Sequence, residues 1–301
     1  MNIAVPPRTA AAPVQTGRAF SAVRHKITSS KLFMIGAVGV FVIALICLLA
    51  PWIVAFDPEQ GGLQSRLLPP QWFSEGLGGH VLGTDQLGRD VLSRVLVGGQ
   101  YSLMIALTVV VGGMLIGIAL GLIAGYFGGI ADAIIMRVVD VMMSLPTLIV
   151  ALCFVAVLGP SFQNVIIVLA LTSWVLTARV VRGSTLAVRS TDYIAAARVM
   201  GAGGGRMMIR EILPNVLPPI LIMASQQIGV ILLTEAGMSF LGMGIPAPTP
   251  SWGGMIAGGQ AYIATAPWIV VAPGMALMLA VLAFNLLGDG VRDVLDPRST
   301  N

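Results

Sequence analysis

The chain has 301 residues, of which 56% are hydrophobic and only 10% charged, with a mean hydropathy of +0.92 and a formal net charge of +4. That leaves too little polar surface for a soluble globule of this length, so the sequence reads as an all-α protein that crosses a bilayer several times.

Residues 1–31 are rich in Ala, Pro and polar groups, end in basic residues, and read as a cytoplasmic tail. The apolar run that follows covers about 25 residues, longer than the roughly 7 to 15 of a secretory leader, so it is expected to stay as an uncleaved anchor. A hydrocarbon core about 30 Å thick takes a helix of about 20 apolar residues, which lets charge-free intervals be converted into spans. Residues 32–56 give the first, and 95–131 hold a second around Leu103 to Ile123. As one helix, Val141 to Ala178 would run about 57 Å, so the chain must fold back there. Gly159-Pro160-Ser161 marks the break, giving a third span over 134–158 and a fourth over 165–181. Pro146 is expected to kink or break the third. Residues 212–234 and 268–288 complete six predicted transmembrane helices. The intervening Pro246, Pro248, Pro250, Trp252 and Trp268 predict a semi-rigid cap at the outer interface.

The 17 Lys and Arg divide unevenly over these spans: only Arg66, Arg89 and Arg94 fall on the outer side, and the rest on the inner side. This bias predicts cytoplasmic termini and accounts for the basic balance without nucleic acid. The organisation is a tail over 1–31, a first helix and extracytoplasmic loop over 32–100, a five-helix core over 101–290 with an inner loop at 182–213, and a cytoplasmic tail over 291–301.

Several chemistries are excluded by residue type. The only lysines follow His25 and Ser30, so no Gly-rich loop carries the lysine that nucleotide phosphates need, and ATP hydrolysis by that route is not expected. His25 and His80 stand far apart with no Cys cluster, which argues against a metal site or a histidine triad. Cys47 and Cys153 read as small packing residues inside spans.

The inner loop holds the richest pattern. Asp192 is placed to cap a short helix through Met200, with Arg198 at its negative end and Gly201 to terminate it. Tyr193, Ala195, Ala196 and Ala197 lie on that helix, whose eight or nine residues fall short of the roughly 12 to 15 that hold a helix alone in water, so a partner surface is implied. After flexible glycines, Arg206 to Ile212 is expected to form a second short helix, with Leu213 and Pro214 opening the next span. On spacing alone an ordinary basic connector fits as well.

Elsewhere, Asp140 and Glu235 lie at or near membrane depth, where ionised groups face a bundle interior or snorkel to an interface. They are candidates for a translocation path. In the outer loop, Asp85 with Arg89 and Asp90 with Arg94 have the spacing of pairs along a helix face. These four are candidates for contact with a binding protein, or a solvated helix with local pairs.

Tyr193-Ile-Ala-Ala-Ala-Arg-Val-Met-Gly201 with Leu213-Pro214 resembles the EAA motif of binding-protein-dependent ABC importer permeases. Ala196, Ala197, Gly201, Leu213 and Pro214 match in register. Ala195 stands in place of the motif's glutamate, and Glu211 where an apolar residue is more usual. His80 to Arg94, Gly121 to Gly129, Phe240 to Gly244, Asn285 to Gly290 and Leu295-Asp-Pro297 resemble the dipeptide/oligopeptide branch (DppC/OppC type). That resemblance implies a type I ABC importer permease fold and an ATPase-coupling loop at 182–213. It also implies a second permease (DppB/OppB type), two ATP-binding subunits (DppD/DppF type) that carry ATP and Mg, and an extracytoplasmic peptide-binding protein. Importers of nickel, glutathione or another small solute share these blocks. A carrier or channel needing no ATPase is the rival of a different class.

Overall fold

The structure, a computed structural model, describes residues 30–71 and 79–295. The tail expected over 1–31 therefore lies outside the described residues except for Ser30 and Lys31, as does 296–301 of the C-terminal tail.

Nine helices of eight residues or more are described: α1 Lys31–Ile53, α2 Val91–Phe127, α3 Gly129–Met143, α4 Thr147–Leu158, α5 Phe162–Arg189, α6 Asp192–Val199, α7 Leu213–Phe240, α8 Trp252–Gly259 and α9 Trp268–Leu295. Five helical runs are long and apolar enough to cross a membrane, and α3 with α4 forms a sixth candidate bent by 92°. Residues 54–71, 79–90 and 241–267 gather at one end of the bundle, the cap end. Residues 190–212 form the opposite, linker end.

Local chemistry sets the helix starts. The side chains of Ser30, Asp90 and Ser161 accept from the backbone N–H groups of Phe33, Ser93 and Asn164, each satisfying a donor that the first turn leaves unpaired. With 37 residues, α2 is about 55 Å long, well beyond a 30 Å core. The predicted span at Leu103 to Ile123 is only its middle.

The third predicted span is the main correction. Instead of one kinked helix over 134–158 there are two, α3 and α4, at nearly a right angle. Pro146 has no N–H and disfavours helical geometry at Leu145, while the Ser144 hydroxyl donates to the Val141 carbonyl and closes the α3 end. The outer loop is a second correction. Residues 85–88 form a turn closed by Gly88 N–H to Asp85 O at 3.0 Å, Thr84 and Asp90 form an isolated bridge, and the helix begins only at Val91.

Helices α2 and α5 make the most extensive contact in the bundle. Gly113, Gly117, Gly121 and Gly125 recur at every fourth residue and face Ser173, Thr177, Val181 and Thr185, also four apart. A Cβ on Gly117 would lie 2.6 Å from Thr177 Cβ, one on Gly121 2.6 Å from the Ala178 carbonyl, and one on Gly125 2.6 Å from Thr185 Cβ. Glycine lets the two backbones touch, the packing route open to helices in lipid, where hydrophobic burial gives no drive.

At the cap end, α8 is pinned across the bundle. Trp252 Nε1 donates to Val95 O at 2.9 Å and its backbone N–H to Ser102 Oγ at 3.2 Å, while Trp268 Nε1 reaches Thr84 O at 3.0 Å. The expected proline-rich cap is therefore partly helical and anchored by its tryptophans.

Gly117→Val is expected to destabilise the chain by about 1–3 kcal/mol or more through overpacking. Gly183→Ala, on an open face of α5 with nothing within 4 Å, should be neutral or stabilising. Thermal unfolding of the two variants in detergent, measured side by side, checks this.

Candidate functional site

The linker end is built around one short helix. Thr191 occupies the cap position of α6 without a side-chain capping bond, and Asp192 is the first helical residue rather than the cap expected. Its carboxylate still lies at the positive end of the helix and Arg198 in the last turn, both favourable for the helix dipole. Gly201 takes φ +85, a left-handed conformation that suits glycine, and Ala202 N–H bonds back to Ala197 O at 3.1 Å in a Schellman-type stop.

Ile194 holds α6 to the bundle. It is fully buried in a cluster with Leu122, Val181, Met207, Ile212, Val216 and Ile220, residues drawn from α2, α5, the 207–212 turn and the start of α7. The rest of α6 is open: Tyr193, Ala195, Ala196 and Arg198 are exposed and Ala197 half-buried, and at the end of the helix Val199 is 89% and Met200 81% exposed. An exposed row of small residues ending in two bare apolar side chains is a surface shaped for close approach by another body.

Past the Gly201–Gly203 hinge, the second segment differs from expectation. It opens with a single turn at Gly204–Arg206, winds as a π-helix over Met207–Ile212, and runs without a break into α7. Pro214, in the first turn of α7, has no N–H to give to the carbonyl four residues back. The wider turn answers this, and Leu213 N–H bonds to Met208 O, five residues back. Asn215 Nδ2 donates to Glu211 O at 2.6 Å and to Tyr193 Oη at 3.0 Å, tying α6 to the root of α7. Arg206 projects outward, and Tyr126 on α2 contacts Met207 Sδ at 4.0 Å. The predicted residues from Asp192 to Pro214 thus come together as one unit.

The other predicted site residues do not join it. Asp140 pairs with Arg179 on the surface, its side chain 59% exposed. Glu235 is 1% exposed and accepts from Ser239 Oγ at 2.7 Å and Ser251 Oγ at 3.2 Å, which links α7 to the start of α8. Neither lines the cavity of about 300 Å³ enclosed by α3, α4, α5 and α7.

The outer charges are buried, not a solvated helix face. Asp85 accepts from Arg89 Nε at 2.7 Å and lies 3.5 Å from Arg94 Nε. The expected Asp90–Arg94 pair is absent: Asp90 meets His80 Nδ1 at 2.9 Å and caps α2, while Arg94 donates to Pro58 O at 2.6 Å. Sequence reading also missed Asp132, which binds both Nε and Nη2 of Arg182 and links α3 to α5. Since they stand 50 positions apart, no local spacing rule could have paired the two.

Residues 117–301 match the family described as binding-protein-dependent transport system inner membrane component, and residues 20–70 match the N-terminal TM domain of oligopeptide transport permease C. The chain belongs to the first of these families. It is thus a multi-pass inner-membrane permease, a transport subunit within a binding-protein-dependent ABC transporter complex. The permease is 41% identical over 266 residues to the Di/tripeptide transport system permease protein DppC of Pseudomonas aeruginosa, covering 88% of each chain. It is 43% identical over 274 residues to the Dipeptide transport system permease protein DppC of Escherichia coli, covering 91% of each. It is also 40% identical to the Probable D,D-dipeptide transport system permease protein DdpC of Escherichia coli, covering 91% of this chain and 90% of that one. A chain of the inward-facing MetNI methionine ABC transporter superposes with a TM-score of 0.55 at 23% identity, covering 68% of the permease and 98% of that chain. This likeness shows a shared fold.

Ile194→Ala should leave the permease in the membrane but loosen α6, since emptying a buried site of this size costs about 2–5 kcal/mol. Hydrogen exchange of the Asp192–Val199 amides is expected to accelerate, while exchange across the α2–α5 seam stays unchanged.

Proposed function

We propose that this permease forms one half of a transmembrane path that imports short peptides, delivered by an extracytoplasmic peptide-binding protein and driven by ATP on partner subunits. The observation that carries the coupling half of this reading is the α6 unit, which presents an exposed small-residue face while being tied by Ile194, Tyr193 and Asn215 to the root of α7. A push on that face moves α7 with it. The peptide half is supported by the relatives named above, whose names specify dipeptides and tripeptides.

In this reading the linker end and both termini are cytoplasmic, as the distribution of Lys and Arg favours. Two ATP-binding subunits of DppD/DppF type hold ATP and Mg, and a second permease of DppB/OppB type completes the path. Asp192, Tyr193, Ala195, Ala196, Ala197, Arg198, Gly201, Arg206, Leu213 and Pro214 make up the coupling surface and its support. With Ala195 where a glutamate is common, docking relies on shape and on Val199 and Met200 in place of a charge at that position. Closure of the ATPase dimer drives the membrane unit between two states, and the delivered substrate sets the direction. Asp85, Arg89, Asp90 and Arg94 brace from within the loop that meets the binding protein.

Uptake of labelled di-, tri- and pentapeptides and of nickel, in cells lacking this chain and after its re-expression, tests the reading. Peptide uptake is expected to fall on deletion and return on re-expression. Unchanged peptide uptake with lost nickel uptake would overturn the peptide assignment. A Gly201→Val variant that inserts normally and transports at the native rate would overturn the coupling assignment and favour an ATPase-independent carrier.

A further inference from the structure

A cavity of about 300 Å³ lies at the broken span, lined by α3, α4, α5 and α7. Leu176 and Gln227 stand at the midpoints of α5 and α7, so the cavity opens part-way along the helices and at neither end. Its volume is at the small end of the roughly 300–1,000 Å³ of small-molecule sites, consistent with one wall of a shared site. None of the lining residues is charged, yet several are polar.

The polar groups divide into two kinds. The hydroxyls of Thr172, Ser173 and Thr234 are satisfied by carbonyls of their own helices, Thr234 Oγ1 by Val230 O at 2.7 Å. The Gln227 amide and the Thr147 hydroxyl have no protein hydrogen-bond partner among the described residues. An amide left unpaired at this depth in lipid would cost several kcal/mol, so the wall faces water or a polar ligand in some state of the transporter.

The remaining lining argues against a tightly packed helix interface. The α2–α5 seam shows what this chain does where helices meet closely, a glycine at every fourth residue. Here the lining includes no glycine, and beside its valines and leucines stand Met142 and Met143, side chains that adapt to varied shapes. In secondary transporters, a span broken at membrane depth is where substrate groups commonly gather.

The geometry points to this cavity as the permease's half of a neutral waist that grips the backbone of a passing peptide through the side-chain amide of Gln227, with Thr147 beside it, and reads no side-chain charge. The inference rests on the peptide reading above. The chemistry matches: a glutamine amide is itself a peptide-like group, with donors and an acceptor to pair with a backbone C=O and N–H. With no fixed charge in the wall, acidic, basic and apolar residues meet the same groups, and the methionines take up differences in shape.

The test uses the complete transporter in membrane vesicles, with Cys47→Ala and Cys153→Ala, and either Gln227→Cys or Thr147→Cys in the permease. Reaction with a small charged thiosulfonate, which needs water at the site, is followed with and without a transported tripeptide during ATP turnover. Both thiols are expected to react, and the peptide to slow the reaction by about tenfold when its concentration is about nine times its dissociation constant. Charged and apolar tripeptides should protect alike. Failure of both thiols to react in any state would overturn the proposal and show the face sealed by the second permease or by lipid. Reaction indifferent to peptide would overturn it too. Peptide uptake by vesicles carrying the permease with its native Gln227 and Thr147 is measured in parallel, so that a failed peptide assignment is told apart from a misplaced waist.

Discussion

The touching backbones of α2 and α5 are the constraint on which the remaining structure depends. Four glycines on one face of α2 let α5 approach so closely that a single Cβ at Gly117, Gly121 or Gly125 has no room. In lipid this contact has no hydrophobic substitute, so the geometry of the seam fixes the relative position of the two helices in most extensive contact. At the cap end of α2, Gly99 leaves space for the Trp252 ring, and α8 is locked across the bundle. At the linker end, the same two helices supply Leu122 and Val181 to the pocket that receives Ile194.

The second consequence concerns motion. An eight-residue helix has little stability of its own, and α6 exists because it is docked. The docking is narrow, one buried isoleucine and the Tyr193 hydroxyl, which accepts from Asn215 Nδ2 and donates to Glu211 O, while the opposite face is bare. In the proposed coupling, a push on a unit held this way passes into the adjoining end of α5 and, through Tyr193 and Asn215, into the root of α7. The π-turn over Met207–Ile212 keeps that route helical in spite of Pro214, where an unadjusted α-helix would clash. The same helix carries Gln227 at its midpoint.

The sequence made visible what depends on composition and short-range spacing. Charge-free runs located α1 and α9 closely, and the Gly201 stop and Pro214 start of the linker unit followed from backbone chemistry. Reading failed where the outcome depends on partners far along the chain. Pro146 announces a disturbance but not its angle, which the packing of α3 against α5 decides. Spacing of four suits a tight turn as well as a helix, and Gly88 and the Thr84–Asp90 bridge chose the turn for Asp85 and Arg89. Asp140 and Glu235 stood out because charge at membrane depth is rare, yet one sits on a surface and the other inside a serine pair. Gln227 gave no signal, since a neutral amide marks a site only once its neighbours are known. The glycine row was present in the sequence, but its partners on α5 lie some sixty residues away.

The central claim is that α6 and α7 move as one body. Nitroxide labels at Arg198→Cys and Leu221→Cys in the assembled transporter, measured by pulsed electron resonance with and without trapped ATP, test it directly. The account predicts a narrow distance distribution that shifts by less than about 2 Å between the two states, the scale of a small helix adjustment. A shift approaching one helical turn, about 5.4 Å, or a distribution that broadens when ATP binds, would contradict it and show that α6 moves without its span.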